Sequence, residues 1–127
     1  MNWKRIWTGA ACATGVIALF DFFTLRFGTS NFSLLGLTSV ILLSEAFVQG
    51  FFCSAFYAVA RPRLGPGPKT AIIVGTALYL IKYGLGLIWM LAPGIPVSAA
   101  FLHVIIGWGK FVLATYLAGW QYIEKAP

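Results

Sequence analysis

Four apolar stretches, each about the length of a membrane-crossing helix, constrain this chain more than any other feature. They run from about Ile6 to Thr24, from about Leu37 to Ala60, from about Thr70 to Ala92 and from about Val97 to Tyr122. Crossing the hydrocarbon core takes roughly 20 helical residues, and none of the stretches alternates as a barrel strand does. The pattern predicts an all-α polytopic membrane protein, with four transmembrane helices forming one up-down-up-down domain over residues 1–127.

The composition argues against a soluble domain of this size. Of the 127 residues, 60% are hydrophobic and only 9% are charged. A small soluble fold leaves a large share of its chain in contact with solvent, so it cannot hide this much apolar surface. We therefore expect an integral membrane protein whose surroundings are the lipid bilayer.

The placement of the basic residues accounts for the net charge of +6. If the four spans alternate, most basic residues outside the spans fall on one side, and Arg26 stands alone on the other. Those on the shared side are Lys4, Arg5, Arg61, Arg63, Lys69 and Lys125. This positive-inside asymmetry predicts that both termini are cytoplasmic. A nucleic-acid partner is not expected, because the basic residues are not interleaved with aromatic residues on a soluble surface.

The segment RPRLGPGPKT, Arg61 to Thr70, has three interpretations: a phosphate-binding loop, a nucleic-acid patch, or a turn between two spans. It lacks the spacing of a Walker A loop, and Pro66 and Pro68 remove backbone N–H groups of the kind such a loop uses. Its prolines and glycines also forbid one continuous helix from Val59 to Ile72. We expect a cytoplasmic turn, with Thr70 capping the third helix.

Small and aromatic residues indicate how the helices pack. Small residues allow close helix approach in lipid, and those expected at contacts are Gly9, Ala13, Gly15, Gly75, Gly84, Gly86, Gly107, Gly109 and Gly119. Aromatic residues near span ends, expected at the membrane interface, include Tyr57, Trp89, Trp120 and Tyr122. Cys12 lies on the opposite side of its helix from Asp21, whereas Cys53 shares the face of Glu45, so we expect two packing residues rather than a disulfide or metal pair.

The strongest candidate site is a layer of charged residues inside the spans. Asp21, Glu45, Lys82 and Lys110 lie one per helix, all about 20 to 24 Å from the cytoplasmic ends. Each costs at least about 2.5 kcal/mol at mid-bilayer unless it is paired or hydrated. Two acids and two bases at one depth predict a buried charge layer, in which the side chains face inward and pair across the bundle. Which lysine pairs with which acid does not follow from the sequence.

Other polar residues share the faces of these charges. Gln49 is one turn from Glu45, Tyr79 is one turn from Lys82, and His103 is two turns outward of Lys110. His103 is either a titratable relay towards the outer surface or a histidine hydrogen-bonded at the outer interface. One histidine is too little for a metal site, and no nucleophile has an orienting base. We therefore expect no metal, no cofactor and no enzymatic activity.

The stretch YAVARPRLGPGPKTAIIVG, Tyr57 to Gly75, resembles part of small uncharacterised bacterial four-helix integral membrane proteins. In those proteins the second span ends in a similar basic turn that contains proline and glycine. The resemblance covers the turn and the spans that flank it. It implies a four-helix bundle in a bacterial inner (plasma) membrane, and it implies no activity.

Three functions are compatible with the charge layer. The ion pairs can serve as electrostatic glue that fixes helix order and register. The polar stripe can meet a partner subunit or a second copy of the chain. The layer can also hold a proton, an anion or another small ligand. An accessory or scaffold protein is the leading interpretation and ligand binding or transport is the alternative, for which four short helices would need partners or oligomers.

Overall fold

The chain folds into four α-helices in a computed structural model. They are α1 (Trp3–Gly28), α2 (Leu37–Leu64), α3 (Pro68–Trp89) and α4 (Val97–Gln121). The structure describes residues 2–28, 37–89, 93–94 and 96–122, and the side chains within these ranges except those of 24–28, 37–39, 85, 87 and 89. The all-helical prediction is confirmed for these residues. The side chains of Arg26, Trp89 and Lys125 and the predicted span end at Ala92 lie outside what is described.

Three of the helices have the length and composition of membrane spans. At 1.5 Å per residue the four helices are about 33 to 42 Å long, compared with a hydrocarbon core of about 30 Å. Among the described residues, three segments are both long and apolar enough to cross a membrane: Trp3–Phe23, Val40–Leu64 and Val97–Gln121. The fold therefore indicates membrane association.

The four helices form a ring of contacts. Within the described ranges, α1 and α3 each contact both α2 and α4, α2 also touches α4, and α1 does not reach α3. The buried Ser54 hydroxyl of α2 donates a hydrogen bond of 2.8 Å to the Ile6 carbonyl of α1. The Trp108 indole N–H of α4 donates to the Thr76 hydroxyl of α3 at 2.8 Å. The first bond joins the start of α1 to the later part of α2, and the second joins the middle parts of α3 and α4.

The packed core occupies only one half of the bundle, which we call the packed half. It contains the turn between α2 and α3 and the described ends of the chain. Ile17, Ala46, Tyr79 and Lys110 are the last buried residues on their helices in the direction away from that turn. Beyond them, in what we call the open half, every described side chain is at least partly exposed. The charge layer therefore lies where the core ends.

Close helix contacts in the packed half rest on glycine. A side chain at Gly75 would place its Cβ 2.7 Å from the Val112 Cα atom, so α3 and α4 could not keep their spacing. Glycines with comparably close neighbours on other helices are Gly9, Gly50 and Gly119 in the packed half and Gly107 just beyond it. Four others that we expected at contacts have no neighbour within 4 Å at the Cβ position, namely Gly15, Gly84, Gly86 and Gly109. The prediction is wrong for these four glycines. Each lies on a helix face, or at a depth in the open half, where no neighbouring helix is close.

The turn between α2 and α3 is tighter than predicted. Helix α2 continues to Leu64, four residues beyond the approximate span end expected at Ala60, and α3 begins at Pro68, two residues before Thr70. A proline in the last turn removes only one helical hydrogen bond, and proline is favoured at the first position of a helix. Gly65 has φ of 85° and ends α2, its N–H bonded to the Arg61 carbonyl at 2.8 Å.

Thr70 does not cap α3. It is fully buried in the first turn, and its hydroxyl donates to the Gly65 carbonyl at 2.5 Å, which fastens the turn. Tyr57 and Tyr122 are each only 3% exposed, so their rings pack inside the bundle and not on its outer surface. Their hydroxyls accept hydrogen bonds from the N–H groups of Gly67 and Asn2, which tie the turn and the N-terminus to the packed half.

Candidate functional site: a layer of paired charges

The structure brings the four charged residues together in two ion pairs. The Lys110 Nζ atom of α4 lies 2.9 Å from the Asp21 Oδ1 atom of α1. The Lys82 Nζ atom of α3 lies 2.5 Å from the Glu45 Oε1 atom of α2. One pair joins α1 to α4 and the other joins α2 to α3, so each ion pair links two neighbouring helices. The order of helices in the ring determines this pairing.

The two pairs differ in their surroundings. The side chains of Lys110 and Asp21 are 7% and 21% exposed, so this pair lies largely within the bundle. Those of Lys82 and Glu45 are 28% and 48% exposed, and this pair lies at the surface between α2 and α3. The expectation that all four charges are buried is therefore wrong. Glu45 lies beside the buried stripe of α2, which begins at its neighbour Ala46, and the bundle opens at this level.

Gln49 supports the exposed pair. Its Nε2 group donates to the Glu45 Oε1 atom at 2.9 Å, so one carboxylate oxygen accepts from both Gln49 and Lys82. Gln49 is itself only 8% exposed, and its Oε1 atom has no hydrogen-bond partner within the described residues. The glutamine therefore holds the carboxylate against α2, while its own buried carbonyl oxygen accepts no hydrogen bond from the described residues.

Tyr83, which the sequence analysis did not single out, lies between the two pairs. Its ring centroid is 5.0 Å from the Lys82 Nζ atom and 5.8 Å from the Lys110 Nζ atom. Phe111 provides a second ring 5.5 Å from the Lys110 ammonium. Ring faces attract cations, so these aromatics add to the neutralisation of the lysines. The position of Tyr83, next to Lys82 and one turn from Tyr79, was the available sequence signal.

Tyr79 contributes packing rather than a contact with the charges. Its ring lies against Gly107, where a Cβ atom would come within 2.8 Å of the ring edge, and its centroid is 5.3 Å from that of Tyr83. The Tyr79 hydroxyl is buried and has no hydrogen-bond partner among the described residues. Tyr79 thus helps to orient Tyr83 towards the two lysines.

An open-sided cavity of about 210 Å³ lies at the level of the charge layer. All four helices line it, and its walls include the four charged residues together with Tyr83 and His103. His103 is exposed, and its ring meets the Tyr83 ring edge-on at 6.2 Å. The imidazole therefore faces the same space as the charges, from the open half, and it makes no hydrogen bond within the described part of the chain.

The cysteines lie apart from the charge layer. Cys12 is exposed, Cys53 is buried, and both are free thiols. Among the described residues, no cluster of three or more His, Cys, Asp or Glu side chains has the arrangement needed to hold a metal ion.

The fold and site define a helical, membrane-associated bundle with paired charges at the end of its packed core. No family model matches the sequence, and no curated protein or solved structure matches it either.

Proposed function

We propose that this chain is a small integral membrane accessory subunit that docks to a partner in the bilayer through the Glu45–Lys82 pair. The observation that carries the proposal is the exposure of this pair, with 48% of the Glu45 side chain uncovered at the depth of the charge layer. The proposed role is one of assembly and not of catalysis.

The physical basis is the cost of a charge in hydrocarbon. An ionisable group at the centre of a bilayer costs at least about 2.5 kcal/mol, and such groups normally face a protein interior or a hydrated cavity. Pairing with Lys82 and the bond from Gln49 offset part of this cost for Glu45. The remaining surface of the pair favours a partner helix that carries polar groups, because contact with it would remove the charges from lipid.

The two ion pairs have different roles in this proposal. The Asp21–Lys110 pair is covered by the chain itself, so it sets the register of α1 against α4. Buried ion pairs are better suited to specifying an arrangement than to adding stability. The Glu45–Lys82 pair provides the contact with the partner. The open half, where the described side chains are not packed into a core, provides room for that contact.

The proposal includes a membrane topology. We infer that α3 also crosses the membrane, that all four helices alternate, and that the turn and both termini lie in the cytoplasm of a bacterial cell. The basic residues of the packed half support this orientation. Reporter fusions at Pro66 and after Pro127 should read cytoplasmic, and a fusion at Gly94 should read outside. An outside signal at Pro66 would contradict the topology.

The subunit proposal is tested by native mass spectrometry of the protein extracted in a mild detergent. Wild-type protein should carry a second polypeptide in addition to its own 13.8 kDa. The double substitution Glu45→Gln with Lys82→Met should release that polypeptide, because it removes the exposed charges. The matched control is Asp21→Asn with Lys110→Met, which removes the covered pair and should retain the partner in every molecule that stays folded. Wild-type protein that is found only as a lone chain would contradict the proposal.

The cavity supports a second candidate function, the binding of a proton, an anion or a small polar ligand. Two lysines, Tyr83 and His103 converge on about 210 Å³ of open-sided space. In this case native mass spectra should contain a small bound molecule that is lost from the Lys82→Met variant. If the bound mass is a polypeptide, or if no bound mass is present, the binding of an anion or a small polar ligand is excluded and the subunit proposal is judged by the preceding experiment.

A further inference from the structure

A second surface feature lies mainly in the packed half and reaches the level of the charge layer at Ile81. A groove of about 520 Å³ runs between α2 and α3. Its walls are apolar apart from one residue, Arg63, and include Phe56 and Ala60 on α2 and Ala77 and Ile81 on α3. None of the four charges of the layer lines this groove. The molecule that occupies this groove is therefore independent of the partner proposed above.

The groove has the length of one lipid leaflet. Along α3 its lining extends from Ile73 to Ile81, which corresponds to about 12 Å at 1.5 Å per residue. Half of a hydrocarbon core of about 30 Å is about 15 Å. An acyl chain aligned with the helices would therefore fit the groove along most of its length. Pockets of this volume are typical of small-molecule sites.

Arg63 gives the groove a charged end. It lies in the last helical turn of α2, next to the connection between α2 and α3, and its side chain is exposed. Within the described residues its guanidinium makes no ion pair, whereas the nearby Arg61 donates to the Tyr122 carbonyl and lies over the Tyr122 ring. Both acidic residues in the described part of the chain belong to the charge layer. Arg63 is therefore available for an external anion.

We propose that the groove binds one acyl chain of an anionic phospholipid, with the phosphate of that lipid contacting Arg63. An apolar channel of leaflet length with a single cation at its polar end is complementary to that class of molecule. A zwitterionic phospholipid has the same chains but no net charge, so it fits the groove and gains less at Arg63. The lipid site shares no residue with the Glu45–Lys82 contact, so each can fail without the other.

The headgroup contact is tested on the purified full chain by native mass spectrometry, with phosphatidylglycerol and phosphatidylcholine of identical chains. Wild-type protein should bind phosphatidylglycerol about fivefold more tightly, the factor expected for one basic residue near an anionic lipid. Arg63→Gln should abolish this preference. Lys69→Gln is the matched control, because Lys69 is an exposed basic residue of the same region that does not line the groove. An equal effect of the two substitutions would indicate general surface attraction and would overturn the proposal.

The acyl-chain contact needs a second pair of variants. Ala77→Phe should fill the groove and weaken the binding of both lipids at least about fivefold, whereas Ala99→Phe, at an exposed position of α4, should not. Circular dichroism establishes that each variant folds, and Ala77→Leu replaces the phenylalanine variant if it does not. Unchanged lipid binding in the groove-filling variant would overturn the proposal, as would a second protein chain that excludes lipid from the groove.

Discussion

Replacing Asp21 with Asn should destabilise the bundle more than replacing Glu45 with Gln, although both substitutions remove one carboxylate from the same charge layer. Asp21→Asn leaves the Lys110 ammonium without its counter-charge in a position that is only 7% exposed. Glu45→Gln leaves Lys82 at the surface, where it is 28% exposed. The two changes are chemically alike, so burial alone separates their expected effects.

The magnitudes follow from the surroundings of each pair. Removing one partner of a fully buried ion pair costs about 3 to 5 kcal/mol. Asp21 is 21% exposed, and the Lys110 ammonium keeps its contacts with the rings of Tyr83 and Phe111, so we expect a loss of about 2 to 3 kcal/mol. Because the Glu45–Lys82 pair is exposed, we expect Glu45→Gln to lower the free energy of unfolding by less than about 1 kcal/mol.

The assay is the free energy of unfolding in mixed detergent micelles, titrated with a denaturing detergent and followed by helical circular dichroism. Lys110→Met completes a double-mutant cycle, because combining it with Asp21→Asn removes both charges. The double variant should recover much of the loss, with a coupling energy of at least about 1 kcal/mol. Equal losses for Asp21→Asn and Glu45→Gln, or strictly additive losses in the cycle, would refute the assignment of Asp21–Lys110 as the internal pair.

Two further predictions concern helix packing. Gly75→Ala should lower the free energy of unfolding by about 1 to 3 kcal/mol in the same assay, because its Cβ would meet the α4 backbone at 2.7 Å, whereas Gly109→Ala should be neutral or stabilising by up to about 1 kcal/mol. Ser54→Ala should cost about 1 kcal/mol by removing the buried bond to Ile6, whereas Ser44→Ala, which removes only an exposed bond within its own helix, should change stability by less than about 0.5 kcal/mol. A larger effect from either control than from its partner substitution would contradict the packing described above.

The sequence was sufficient to predict the helices and the charge layer. Apolar runs of this length have few alternatives in a chain of this size, and four charges inside them are costly enough to require partners. The common depth of Asp21, Glu45, Lys82 and Lys110 followed from counting helical residues. Their identity as one layer was therefore accessible without coordinates, whereas its function stays a proposal.

The pairing and the exposure of the charges were not accessible in the same way. Which helices are neighbours determines that Lys82 meets Glu45 and that Lys110 meets Asp21, and loop lengths do not fix that order. The rotation of each helix about its axis decides whether a residue faces inward. Glu45 lies one position from the buried Ala46, so a small rotation changes its environment. The same uncertainty explains the wrong assignment of Gly15 and Gly109 to helix contacts.

The central claim is that the open side of the charge layer faces another polypeptide in the membrane. Ile106 and Ile105 test it directly, because they are adjacent, chemically identical and 40% and 47% exposed, but only Ile106 lines the cavity. A photoreactive amino acid introduced separately at each position is irradiated in intact native membranes, and the products are separated by mass. We expect a crosslink to a second polypeptide from position 106 and crosslinks to lipid from position 105. Lipid products alone from both positions would contradict the claim.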